Sequence, residues 1–307
     1  MVFEIEHERH GRIEVTEHVY KLIEKDKIEW VPQRTEPWFK KRRNHITASI
    51  VAAICNENPY ESRLSALKKK VGHEKPFTGS IATEHGNKYE DEAIQKYEAL
   101  TGEKVIEFGL LQSLNKDEDY LAGSPDGITA TGKLIEVKCP FRRKPLEGQI
   151  PSYYVHQVQM LMHILDLPTC DFIQYVPETT WRPEVLQITA VDRCDIFWAR
   201  VEPVLLRFWA EVDTYRKTGI LPREISEAEE KKALKKRPRI ITITGEKKKA
   251  KVECYIPIQE EIKVGANPEA IRSFVDAVSR RLSDSAPLHE ENACFEKAGK
   301  CLIPKPN

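Results

Sequence analysis

The stretch from Gly123 to Pro140 constrains this chain most. It opens Gly123-Ser-Pro-Asp-Gly127 and closes Leu134-Ile-Glu-Val-Lys-Cys-Pro140. Glycine, proline and aspartate punctuate the backbone, and Ala130-Thr-Gly132 supplies a tight connection, so residues 126–129 and 133–139 read as a β-hairpin. Alternate residues of a strand face the same way. Glu136 and Lys138 therefore project together, and Asp126 sits on the partner strand. Two carboxylates converging at one end of a sheet make a hard oxygen site suited to Mg²⁺ or Mn²⁺. A lysine beside them can orient or help deprotonate a water, and the combination suits phosphodiester hydrolysis. The same letters also fit a plain turn and a surface strand with an ordinary Glu/Lys pair. Leu134, Ile135 and Val137 weigh against that, because they make the second strand apolar enough to be internal.

The rest of the chain reads as one α/β (α+β) domain with appendages. Its 307 residues suffice for one large domain or two smaller ones. Lys+Arg and Asp+Glu both number 48, which argues against a simple polycationic coat for nucleic acid. No run of apolar residues is long enough to span a membrane, and the acidic start lacks the form of a secretory signal. Seven cysteines, an odd number without a Cys-x-x-Cys pair, point to a reducing compartment rather than a disulfide or zinc framework. That suggests an intracellular location, cytoplasmic or nuclear.

Residues 1–35 read as a peripheral N-terminal arm with a short strand. Thr47 or Ser49 can cap a helix running to Cys55, and 62–71 form another. In 80–100, Tyr89, Ala93, Tyr97 and Leu100 recur at helical spacing, and Thr101-Gly102 stops the helix. Residues 104–111 and 120–122 read as strands. Residues 152–166 read as a helix with Tyr154, Val158, Leu161 and Leu165 on one side. Strands at 170–176 and 184–190 and a long helix at 192–217 complete the domain, 36–218. Residues 219–307 form a C-terminal extension with a further helix at 267–283. Its segment 228–251 holds ten Lys or Arg and three Glu, a formal charge of +7. That segment fits a DNA-backbone tracker, a nuclear signal at 231–239, or a solvated linker.

Five segments in order resemble one family: Trp38…Arg42…Ile46-Thr-Ala-Ser49, Gly86-Asn-Lys-Tyr-Glu90, Gly123-Ser-Pro-Asp-Gly127, Leu134-Ile-Glu-Val-Lys-Cys-Pro140 and Tyr154-Val-His-Gln-Val-Gln159. Together they are similar to the YqaJ-type viral recombinases, which include the phage lambda exonuclease and belong to the PD-(D/E)xK nuclease superfamily. The resemblance implies a central mixed β-sheet flanked by helices. It implies that Asp126, Glu136 and the Val137 carbonyl bind Mg²⁺ or Mn²⁺, one ion or two, with Glu90 completing the set. It implies that Lys138 activates a water, Gln157 braces the lysine or the water, and Arg42 and Ser49 hold a terminal 5′ phosphate. Taken alone, Glu90 also reads as a solvated helix residue near Lys88, and Gln157 as an outward polar one. Trp38 reads as core rather than as a stacking platform.

The resemblance further implies a 5′→3′ exonuclease resecting linear duplex DNA, with a single-strand annealing partner and a trimeric assembly as in phage members. No iron–sulfur cluster is expected from the scattered cysteines. An endonuclease or RNase on the same core, or a nucleic-acid-binding protein that kept only the fold, stays open at this level.

Overall fold

The two arms of the 126–139 hairpin pair as the sequence predicts, and the pairing brings Asp126 to Glu136. The molecule is a computed structural model describing residues 1–219, apart from 34, 74–78 and 146, together with 249–250. It divides into Met1–Cys254 and Tyr255–Asn307, of which the second lies outside the described residues. So do the basic segment, except 249–250, the nuclear signal expected at 231–239 and the helix expected at 267–283.

The chain opens with an antiparallel pair, β1 (Val2–His7) and β2 (Gly11–Thr16), and helix α1 (Glu17–Glu29). Helix α2 (Glu36–Arg43) leads into β3 (Ile46–Thr47), a 3₁₀ turn (Ala48–Ile50) and the short α3 (Val51–Ile54). Helices α4 (Arg63–Lys70) and α5 (Ile81–Thr101) follow. The strands β4 (Val105–Ile106), β5 (Leu111–Gln112), β6 (Leu121–Gly123), β7 (Gly127–Thr129) and β8 (Leu134–Lys138) come next. Helix α6 (Ser152–Ile164) connects β8 to β9 (Thr169–Val176), then β10 (Val185–Asp192), helix α7 (Asp195–Thr218) and a short β11 (Lys249–Ala250).

The main sheet has the order β11-β10-β9-β8-β7-β4 and is mixed: β8 and β9 are parallel, while β7–β8 and β9–β10 are antiparallel. A parallel pair needs a crossover, and α6 provides it. A second sheet has the order β3-β6-β5. This is the mixed α/β architecture the sequence implies. Ile135 and Val137 pack with Ala93, Ile94 and Tyr97 of α5. Strand alternation then sends Glu136 and Lys138 to the opposite face, beneath α6. Ser80 caps α5 by accepting from Thr83 N, and Gly102, at φ 75°, ends it in the left-handed conformation that glycine tolerates best.

Three expectations need correction. The N-terminal segment is not peripheral: Val15, Val19 and Leu22 are fully buried, and Asp26 and Glu29 accept from Gly109 N and Gln112 N. Alternation in β1 and β2 masks this in sequence, because their outer positions are strongly charged. The expected helix from Thr47 opens as a 3₁₀ turn over Ala48–Ile50 and is α-helical only from Val51, and the Thr47 side chain makes no cap bond. Leu100 lies largely in water, since the face of α5 that meets the sheet runs through Ala93, Ile94 and Tyr97.

Candidate active site

The site begins with register. Gly127 pairs with Ile135, so Asp126, one residue earlier, lies beside Glu136. Asp126 Oδ2 accepts from Val137 N at 2.7 Å, which fixes the carboxylate against β8. Two glycines permit this closeness. A side chain at Gly127 would collide with Val105 of β4, and one at Gly123 with Leu161 of α6. The Gly-Ser-Pro-Asp-Gly segment is thus held between β4, α6 and the 3₁₀ turn carrying Ser49.

Glu136 is wholly buried. Its Oε1 accepts from Gln157 Nε2 at 2.6 Å and from Lys138 Nζ. Its Oε2 is buried without a partner. Lys138 Nζ also donates to the Val137 carbonyl at 3.0 Å, lies 3.7 Å from Asp126 Oδ2, and stands 5.2 Å from the Tyr154 ring. Glu90 reaches the same cluster from α5, close enough for its charge to be felt by Asp126 and Lys138.

Burial pushes the Glu136 carboxyl above the usual carboxylate range, and the Asp126 charge adds to the rise. Glu90 rises for the same two reasons in the same order. For Lys138, burial alone pulls downward, but Glu136 and Asp126 outweigh it and hold the ammonium above its ordinary value. Three carboxylates share one ammonium, so the cluster is short of positive charge. Among the described residues no three acidic, histidine or cysteine side chains make a ready cage. An orphaned buried carboxylate oxygen among hard oxygen donors nonetheless fits a divalent cation.

Arg42 and Ser49 are brought together, seven residues apart in sequence. Arg42 Nη2 donates to Ser49 Oγ at 3.2 Å, and its guanidinium lies 4.6 Å from the Trp38 ring centroid. Trp38 is half-buried rather than core: it is the shelf on which Arg42 rests. Lys41 is separate, donating to the carbonyls of Glu29 and Leu110, and Arg43 pairs with Glu36.

Sequence reasoning misses three groups. Ser124 Oγ, two residues before Asp126, is buried without a partner beside the site. Tyr154, expected on an apolar helix face, sits half-open under Lys138. Arg143 Nη1 donates to Gln174 Oε1 at 2.6 Å, and Gln174 is the β9 residue in register with Lys138. Only Ser124 carries a signal in the sequence, its place next to Pro125-Asp126.

This fold and constellation define a nuclease-type α/β core. The profile of the YqaJ-like viral recombinase domain matches residues 37–169 of the chain. The crystal structure of an alkaline exonuclease, LHK-Exo, from Laribacter hongkongensis is similar at a TM-score of 0.50 and 27% identity, covering 60% of this chain and 95% of that one. The uncharacterized protein R354 of Acanthamoeba polyphaga mimivirus is 33% identical over 165 residues, 48% of this chain. The match spans 30% of that relative's length. The resemblance read from five short motifs therefore holds over the segment that carries the site. No helix among the described residues is long and apolar enough to cross a membrane.

Proposed function

We propose that this chain is a divalent-metal-dependent DNA exonuclease that shortens linear duplex from 5′ ends. The observation that carries the reading is the convergence of Lys138 and Gln157 on one oxygen of Glu136, beside Asp126, with the other oxygen left unpartnered. The likeness to an alkaline exonuclease supports the reaction class.

Asp126, Glu136, the Val137 carbonyl and Glu90 are the groups that would hold Mg²⁺ or Mn²⁺. Such an ion supplies Lewis acidity toward a phosphoryl oxygen and lowers the pKa of water. Gln157 and Lys138 both occupy Oε1 of Glu136, which leaves Oε2 without a protein partner. Lys138 is held by two opposed influences, burial and the carboxylates. Lys138, bonded to Glu136 Oε1 and the Val137 carbonyl and 3.7 Å from Asp126, would orient the attacking water among these groups. Arg42, stacked on Trp38 and bonded to Ser49, presents the planar fork that binds a terminal phosphate bidentately.

The test is a linear duplex labelled separately at each 5′ and 3′ end, with and without 5′ phosphate. Early release of 5′-terminal nucleotides with Mg²⁺, faster on phosphorylated ends, is expected, and covalently closed circles should survive. Release from 3′ ends, or efficient cutting of closed circles, would overturn the assignment.

A further inference from the structure

We propose that Tyr60, Tyr153 and Tyr154 form a stacking platform for nucleobases of the strand held at Asp126, Glu136 and Lys138. The inference rests on the nuclease reading of that site and adds to it residues that bind the bases. Tyr60 is 76% exposed. Its loop is nevertheless fixed: Asn58 Oδ1 accepts from Tyr60 N at 2.8 Å and from Glu61 N at 3.2 Å. The Tyr60 ring meets Tyr153 edge-on, with centroids 5.5 Å apart. Tyr153 and Tyr154 lie 4.3 Å apart. Lys138 Nζ is the next step, 5.2 Å from Tyr154.

The rings therefore form a continuous stair from solvent to the catalytic face. Tyr153, Tyr154 and Gln157 are half-open positions on the first turns of α6, whose neighbours Val155, His156 and Val158 are buried. Residues three and four apart share a helix face, so both rings flank the glutamine that grips Glu136. Aromatic rings beside a cation, opening directly onto a phosphodiester site, suit planar bases. Every base presents a π-face, so such stacking tolerates any sequence.

The test uses the full chain and a 5′-phosphorylated DNA strand with 2-aminopurine near its 5′ end, in EDTA, where binding is read without cleavage. Stacking on tyrosine should quench the fluorescence for wild type and for Tyr60→Phe. Tyr60→Ala should lose much of the quenching and bind roughly tenfold more weakly. An abasic nucleotide at the same position should weaken wild type but leave the alanine variant little changed. Equal quenching and equal affinity for Tyr60→Ala and wild type would overturn the platform. The two readings fail separately. A chain that never cleaves DNA yet shows Tyr60-dependent quenching sinks only the nuclease reading. A chain that cleaves, with quenching indifferent to Tyr60, sinks only the platform.

Discussion

Gln157 Nε2 donates to Glu136 Oε1 at 2.6 Å, joining helix α6 to strand β8. Together with Lys138 on the same oxygen, this bond leaves Oε2 of a fully buried carboxylate without a partner. Groups that orient a metal ligand typically matter about 10–100-fold in metal affinity or activity. Gln157→Leu should therefore raise the Mg²⁺ concentration for half-maximal cleavage by about tenfold or more. Titrating cleavage against Mg²⁺ checks this; an unchanged midpoint would mean that the bond is incidental.

Arg42 should set the preference for phosphorylated ends. Arg42→Ala is expected to erase the rate difference between 5′-phosphate and 5′-hydroxyl duplexes. Arg42→Lys should restore only part of it, because an ammonium keeps the charge but not the fork or its seat on Trp38. Rates on both ends for the three proteins decide the matter. A preserved preference in the alanine variant would remove Arg42 from the phosphate site.

Gly127→Ala should destabilise the domain by about 1–3 kcal/mol, since the new methyl meets Val105 and the β4–β7 pair must open. Val105→Ala in the same chain should recover part of the loss. Urea denaturation of the single and double variants measures it. Additive losses would show that the two positions do not meet.

His156 links stability to acid. Its ring is buried, Nδ1 donates to the Ser152 carbonyl at 3.2 Å, and Nε2 has no partner. Burial pulls its pKa down from 6.5 to about 4. Between those values the unfolded chain takes a proton that the folded chain refuses. Stability is thus full above pH 6.5 and falls as pH drops toward 4, by roughly 3 kcal/mol in all. His156→Leu should flatten this acid limb, whatever its stability at neutral pH. Urea midpoints at about pH 7.5, above the window, and at about pH 4.5, near its lower end, compare the two slopes, and parallel slopes would clear His156 of the effect.

Much of the site is legible in the sequence because it is local. Asp126, Glu136 and Lys138 lie on one hairpin, and strand alternation alone puts the last two on one face. Helix α5 is legible because Tyr89, Ala93 and Tyr97 recur at helical spacing and Thr101-Gly102 marks its end. Gln157 is not legible from spacing: α6 is buried on most sides, so a polar residue there has no periodic signature, and only the resemblance gives it a role. The pairing of Arg42 with Ser49 is likewise hidden, since it depends on the chain leaving α2, entering β3 and turning at Ala48. The N-terminal hairpin reads as peripheral because charged outer positions outweigh the few side chains, such as Val15, that reach the core. Tyr60 carries no local pattern at all; its neighbours come from a helix far later in the chain.

The most direct test of the central claim compares wild type with Asp126→Ala on linear 5′-phosphorylated duplex, measuring both cleavage with Mg²⁺ and binding in EDTA. Wild type should degrade the duplex only when the metal is present. The variant should lose cleavage by a factor of about a hundred or more while binding nearly as well. Cleavage by Asp126→Ala at the wild-type rate, or an inert wild type with both Mg²⁺ and Mn²⁺, would contradict the account.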